Sequence, residues 1–149
     1  MMNVYAIETT INEKETTLLS LLDPEAISQV KNDKAILGIL KNKGAAVTHG
    51  NIIYNPAFVN FFHQTMLLFA EFTAIESPNQ KDGFMYLIDE RCKTPETPQQ
   101  KDIIGSFEVK SGFVIKESYV ANVKYEFISD EGLFQLPAQI EKVLFMALV

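Results

Sequence analysis

The chain has 149 residues, of which 47% are hydrophobic and 21% are charged, and its net charge is −6. This composition is typical of a folded globular protein and excludes a disordered chain, and the length suits one domain, which we place at residues 1–149. Nucleic-acid binding is not expected, because acidic residues outnumber Lys and Arg and no dense basic cluster is present. The single cysteine cannot form an internal disulfide and no export signal is visible at the start, so we expect a cytoplasmic protein.

The first 44 residues predict one short strand followed by three helical pieces. Residues 3–7 alternate like a strand, whereas Asn12, Asp23 and Asp33 are each suited to cap the N-terminus of a helix. The helix after Asn12 would bury Leu18, Leu19 and Leu22. The helix after Asp23 would begin at Pro24, and Gly44 would end the third piece.

The middle of the chain predicts a short hairpin and then a buried helix. Residues 45–54 suit a hairpin around His49-Gly50-Asn51, and Pro56 suits the first turn of a helix that continues to Glu71 or slightly beyond. Its apolar residues cover most of the circumference: Phe58, Val59, Phe61, Phe62, Met66, Leu67, Leu68, Phe69 and Phe72. Such a helix is buried. Polar residues interrupt residues 51–70, so a membrane span is not expected.

The second half of the chain predicts strands, turns and a closing helix. Residues 84–88 form a continuous apolar run that suits a central strand, and the two Thr-Pro steps in residues 91–100 suit an extended surface loop. Residues 103–109 alternate like a strand. Lys110-Ser111-Gly112 then suits a type I turn, and the chain returns through Phe113 and Ile115.

A further short strand at Tyr125 and Phe127, a turn at residues 129–132 and a helix from Pro137 complete the prediction. The fold class is therefore α+β: a single domain with an antiparallel sheet of about 4–6 strands, N-terminal helices, one buried central helix and a C-terminal helix.

The residue types needed for catalysis or metal binding are not concentrated in any motif. His49 and His63 are the only histidines, whereas a metal site needs three or four convergent ligands. Cys92 has no accompanying nucleophile elbow or oxyanion loop. The adjacent pairs Asp89-Glu90 and Asp130-Glu131 would point to opposite faces of a strand. We therefore expect no catalytic residue, no cofactor and no metal.

The C-terminal half carries a resemblance to a known type of protein. Residues 102–109 (DIIGSFEV), Gly112, Ser118-Tyr119, Asn122 and residues 131–137 (EGLFQLP) resemble small uncharacterised bacterial proteins of the toxin-immunity type. The resemblance covers residues 84–148 and is carried mostly by turn glycines and core residues. It implies stoichiometric binding to a toxin, without catalytic residues to transfer. An acidic surface suits a basic toxin domain, because opposite charges speed encounter and orient the partners, although mild acidity also serves solubility.

Seven residues are candidates for contacts with a protein partner, and each is also compatible with an ordinary surface or core position. The acidic candidates are Asp89, Glu90, Glu126, Asp130 and Glu131. Tyr119 and Phe134 are candidate aromatic anchors, a residue class that dominates the energetics of many interfaces.

Two other hypotheses remain open. In the first, the chain is a small enzyme or ligand-binding module whose pocket lies between the Phe-rich helix and the sheet, with His63, Glu71 or Tyr86 as its polar groups. In the second, the surplus of aromatic and aliphatic residues closes a homodimer interface.

Overall fold

The computed structural model describes residues 2–73 and 82–149, which form an α+β fold. The strands are β1 (Tyr5–Ile11), β2 (Lys14–Ser20), β3 (Ile36–Leu40), β4 (Ile52–Tyr54), β5 (Gly83–Ile88), β6 (Ile103–Lys110), β7 (Phe113–Ala121), β8 (Ile128–Ser129) and β9 (Gly132–Leu133). The helices are α1 (Pro24–Val30), α2 (Pro56–Met66), α3 (Leu68–Thr73) and α4 (Ala138–Leu148). No helix in the described ranges is long and apolar enough to cross a membrane.

The strands form three separate antiparallel sheets, where the sequence predicted one. The first sheet has the order β1-β2-β3-β4, the second sheet has the order β5-β6-β7, and β8 pairs with β9 alone. In the second sheet β6 is central, so both β5 and β7 lie at edges. The antiparallel α+β class is confirmed, and the strands are divided among more sheets than predicted.

The buried apolar residues form one core around α2, which confirms a buried central helix. The single helix predicted from Pro56 to Glu71 or beyond is instead interrupted at Leu67 and continues as α3. Phe58 and Phe62 are fully buried and pack against the rings of Phe127 and Phe134 at centroid distances of 4.8 to 6.1 Å. α2 packs against α4 and β3, while α3, separated from α2 only by Leu67, packs against β7. The Phe-rich segment thus joins the first sheet, the second sheet and the C-terminal helix.

The predicted helix after Asn12 is wrong, because that segment is strand β2. Asn12 and Glu13 have φ angles of 50° and 65° and form a two-residue hairpin turn, with Ile11 opposite Lys14. Asn is favoured both as a helix cap and at positive φ, so the local signal was ambiguous. Threonines on both strands, including the facing pair Thr9 and Thr16, favour the extended conformation.

The third predicted helical piece is also wrong. It consists of a single 3-10 turn at residues 33–35 followed by β3, which lies between β2 and β4. A short aliphatic run fits a strand or a helix equally well. This segment is a strand because it pairs with a neighbouring strand on each side. Residues 45–54 are not a hairpin, because β4 pairs with β3. The second predicted helical piece, the one after Asp23, is confirmed as α1. The Asp23 side chain accepts a hydrogen bond from the Ala26 amide and caps this helix.

Three predictions in the second half are confirmed in outline and corrected in detail. β5 is an edge strand and not a central one. The β6–β7 turn is type I′, since Ser111 and Gly112 both have positive φ, at 53° and 79°. The short strand predicted at Tyr125 and Phe127 is β8, which begins one residue later, at Ile128. The closing helix is confirmed as α4, and the Asn32 side chain donates to the carbonyls of Ala147 and Leu148 at its end.

Candidate functional site

Asp89, a predicted partner contact, is the centre of a buried polar network. Its carboxylate lies 2.9 Å from the guanidinium of Arg91 and accepts a hydrogen bond from the Tyr125 hydroxyl at 2.5 Å. It also accepts from the backbone amides of Arg91 and Gln135. Burial, and secondly the nearby carboxylate, raise the pKa of Tyr125 well above its ordinary value, so its hydroxyl remains a donor. Asp89 is a structural acceptor and does not reach a partner from this position.

Arg91 connects this network to the β8–β9 hairpin and to Glu126 just before it. Its guanidinium donates to the carbonyls of Glu126 and Gly132, each at 2.6 Å, and to the Ser129 hydroxyl at 3.0 Å. The arginine therefore fixes residues 126–132 against the end of β5. From the sequence, Arg91 was predicted to begin an extended surface loop. The available signal was a carboxylate and a guanidinium two residues apart directly after an apolar strand.

The two predicted aromatic anchors are core residues. Phe134 is buried against Phe58, Phe62 and Phe127. Tyr119 is half-buried: its ring packs against Phe107 at 5.0 Å. Neither ring is placed as an exposed anchor.

The Tyr119 hydroxyl is hydrogen-bonded to His63 Nδ1 at 2.6 Å. Burial raises the pKa of Tyr119 and lowers the pKa of His63 to about 4, so both are neutral at pH 7. Tyr86, another polar group of the alternative pocket, lies on the opposite side of the second sheet and is exposed. The structure does not bring His63 and Tyr86 together. The side chain of Glu71 lies outside the described residues.

The remaining acidic candidates fall in two places. Glu126 lies just before β8, and Asp130 and Glu131 lie in the β8–β9 turn, where both are exposed. Glu131 accepts from the Ser129 hydroxyl at 2.9 Å and from Lys101 Nζ at 3.2 Å, and these bonds lower its pKa. Glu90, which is exposed, lines a separate groove.

That groove, which we call the acidic groove, is open to solvent and has a volume of about 620 Å³. Buried Leu21 and Leu136 supply apolar surface, and half-exposed Phe145 supplies an aromatic side chain from α4. Two carboxylates, Glu90 and Glu141, and one ammonium group, Lys142, are among its lining side chains. The full lining is Met2, Asn3, Tyr5, Leu21, Glu90, Gln135, Leu136, Ala138, Glu141, Lys142 and Phe145.

A second surface is the outer face of the second sheet, the side turned away from Phe107. Cross-strand rows define it: Phe84 with Glu108 and Ile115, Tyr86 with Ser106 and Val120, and Lys110 with Phe113. Four apolar side chains on this outer face are more than half exposed: Phe84 (63%), Tyr86 (58%), Phe113 (67%) and Val120 (64%). Lys110 and Glu108 form an ion pair at 3.4 Å in its central strand.

No family model matches this chain, and no curated protein or solved structure matches it either. Within residues 2–73 and 82–149, no three or more His, Cys, Asp or Glu side chains are grouped so as to hold a metal ion.

Proposed function

We propose that this chain is a non-catalytic cytoplasmic protein that binds a partner protein stoichiometrically, as an immunity protein that neutralises a basic toxin domain. The acidic groove carries the proposal. Protein interfaces commonly combine apolar side chains with a polar rim, and this groove has half-exposed Phe145 together with exposed Glu90.

The charge of the groove supports a basic occupant. Two of its three charged side chains are carboxylates, and the whole chain has a net charge of −6. A lysine or arginine of the partner would place its aliphatic stem on Phe145 and its charge near Glu90, an arrangement that long basic side chains adopt on apolar surfaces. Complementary charge would also speed association at low ionic strength.

Glu90 is the acidic candidate that the groove favours. Its backbone amide donates to the Gln135 carbonyl at 2.9 Å, so the main chain on which it stands is fixed. Its side chain is exposed, whereas Asp89 next to it is buried. A fixed backbone reduces the conformational entropy lost on binding, which favours Glu90 as a recognition residue.

A growth assay tests the proposal. The toxin candidate is the protein encoded beside this chain's gene, and it is expressed in a host with or without the chain. We expect the wild-type chain to protect growth, Glu90→Lys to lose protection, and Glu96→Lys to keep it. Glu96 is the matched control, because it is exposed in the Thr-Pro loop and undergoes the same charge change. Failure of the wild-type chain to protect, or equal protection by both variants, would contradict the proposal.

A further inference from the structure

We infer that the outer face of the second sheet is a homodimer interface, whose occupant is the outer face of a second copy of this chain. The surface is distinct from the acidic groove and shares no lining residue with it. Its apolar side chains come from both edge strands, with Phe84 and Tyr86 on β5 and Phe113 and Val120 on β7. An exposed apolar surface of this kind, rimmed by polar residues, is typical of an association site.

The charges of the outer face favour a second copy over other occupants. The charged residues in its paired rows are Glu108 and Lys110, whose charges cancel. The exposed residues Lys116 and Glu117 on β7 also carry opposite charges, although the chain as a whole carries −6. Two copies of an acidic protein repel one another, and that repulsion is smallest where the surfaces that meet are neutral. A basic partner finds no excess of carboxylates on the outer face, and a nucleic acid finds no excess of cations.

The arrangement of these charges is also self-complementary. Glu108 and Lys110 are two residues apart on β6 and therefore project from the same face. A two-fold axis that passes between them places Glu108 of each copy against Lys110 of the other. The same operation places Phe113, in the row of Lys110, against Ile115, in the row of Glu108. One symmetric contact thus pairs opposite charges and buries apolar side chains.

The shape of the outer face leaves room for the other copy. A shallow hollow of about 220 Å³ is lined by Tyr86 and Val120, with small Ser106 between them in the central strand. With the axis between Glu108 and Lys110, the row of Tyr86, Ser106 and Val120 lies opposite the Ser111-Gly112 turn of the other copy, so that turn would face the hollow. Because the acidic groove stays free, the dimer would present two grooves to two partner molecules.

Sedimentation equilibrium of the full chain tests the inference, with charge reversals at the two central positions. We expect the wild-type protein to reach twice its 16.8 kDa chain mass with rising concentration. Glu108→Lys alone and Lys110→Glu alone should each weaken the dimer by roughly tenfold or more, because like charges then oppose one another. The double variant Glu108→Lys/Lys110→Glu should restore it, and Glu96→Lys should have no effect.

Each alternative result is informative. A monomer at every soluble concentration would overturn the inference, and so would a dimer that neither single reversal weakens. A double variant that stays monomeric would overturn the proposed pairing of Glu108 with Lys110. Circular dichroism melting of each variant separates dissociation from unfolding. The partner protein is absent from this experiment, so its outcome is independent of the proposed toxin binding.

Discussion

Both faces of the second sheet carry large apolar side chains, but the environments of the two faces are opposite. The inner face carries Phe107, which is fully buried beside Tyr119 on the side where α3 packs against β7. The outer face carries Phe84 and Phe113, which are more than half exposed. An apolar strand pattern therefore does not distinguish a face that the chain's own helices cover from one that stays exposed in the single chain.

The largest expected effect is a difference in unfolding free energy between two substitutions, one of a phenylalanine on each face. Phe107→Ala should lower the free energy of unfolding by about 3–5 kcal/mol, because it opens a cavity in the core. Phe113→Ala should change that free energy by less than about 0.5 kcal/mol, since its ring is exposed in the monomer. Urea unfolding at low protein concentration measures both. Equal losses would show that the outer face is covered within a single chain.

Charged pairs should show the same contrast between buried and exposed positions. Arg91→Ala removes the partner of buried Asp89 and should cost about 3–5 kcal/mol of unfolding free energy. Lys43→Ala removes an exposed partner of Glu15 at 2.6 Å, and we expect no measurable loss, because solvent screens that pair. The measurement is again urea unfolding. A substantial loss in Lys43→Ala, or none in Arg91→Ala, would contradict this assignment.

A smaller effect should appear in the pH dependence of stability, to which His63, packed against the inner face, contributes. Its pKa is lowered by burial from 6.5 to about 4. Between these values the unfolded chain binds a proton that the folded chain does not, so stability rises with pH. The His63 contribution is complete above about 6.5 and is lost as the pH falls towards 4.

Urea midpoints across that pH range test this prediction. His63→Gln should flatten the part of the curve that belongs to this histidine, because the titrating group is gone. Tyr119→Phe is the control: it removes the hydrogen bond to His63 but keeps the histidine buried, so the pH dependence should remain. A curve that His63→Gln leaves unchanged would assign the pH dependence to other groups.

The sequence correctly predicted the elements whose apolar pattern extends over many consecutive residues. α2 was predictable because its apolar residues surround the helix, and the β6–β7 hairpin because its residues alternate on both sides of Ser111-Gly112. β2 was not predictable from the local sequence, since Leu18 and Leu19, together with Leu22 just beyond the strand, suit the apolar stripe of a helix. Pairing with β1 and β3 decides its structure, and that pairing is a property of the assembled sheet.

The candidate sites depend still more on contacts between distant segments. Asp89 and Glu90 are adjacent acids in opposite environments. Arg91 and Tyr125 enclose Asp89, whereas Glu90 lines a groove that the N-terminal residues and α4 complete. No local pattern distinguishes them. The sequence named both residues as candidate contacts, but it could not separate exposed Glu90 from buried Asp89.

Calorimetric titration of the purified chain with the protein encoded beside its gene tests the central claim, that the acidic groove binds a basic partner. We predict one partner molecule bound per chain, with an affinity that falls as salt is added. Glu90→Lys should weaken binding by roughly tenfold or more, and Glu96→Lys should leave it unchanged. No binding by the wild-type protein, or equal affinity for wild type and Glu90→Lys, would contradict the claim.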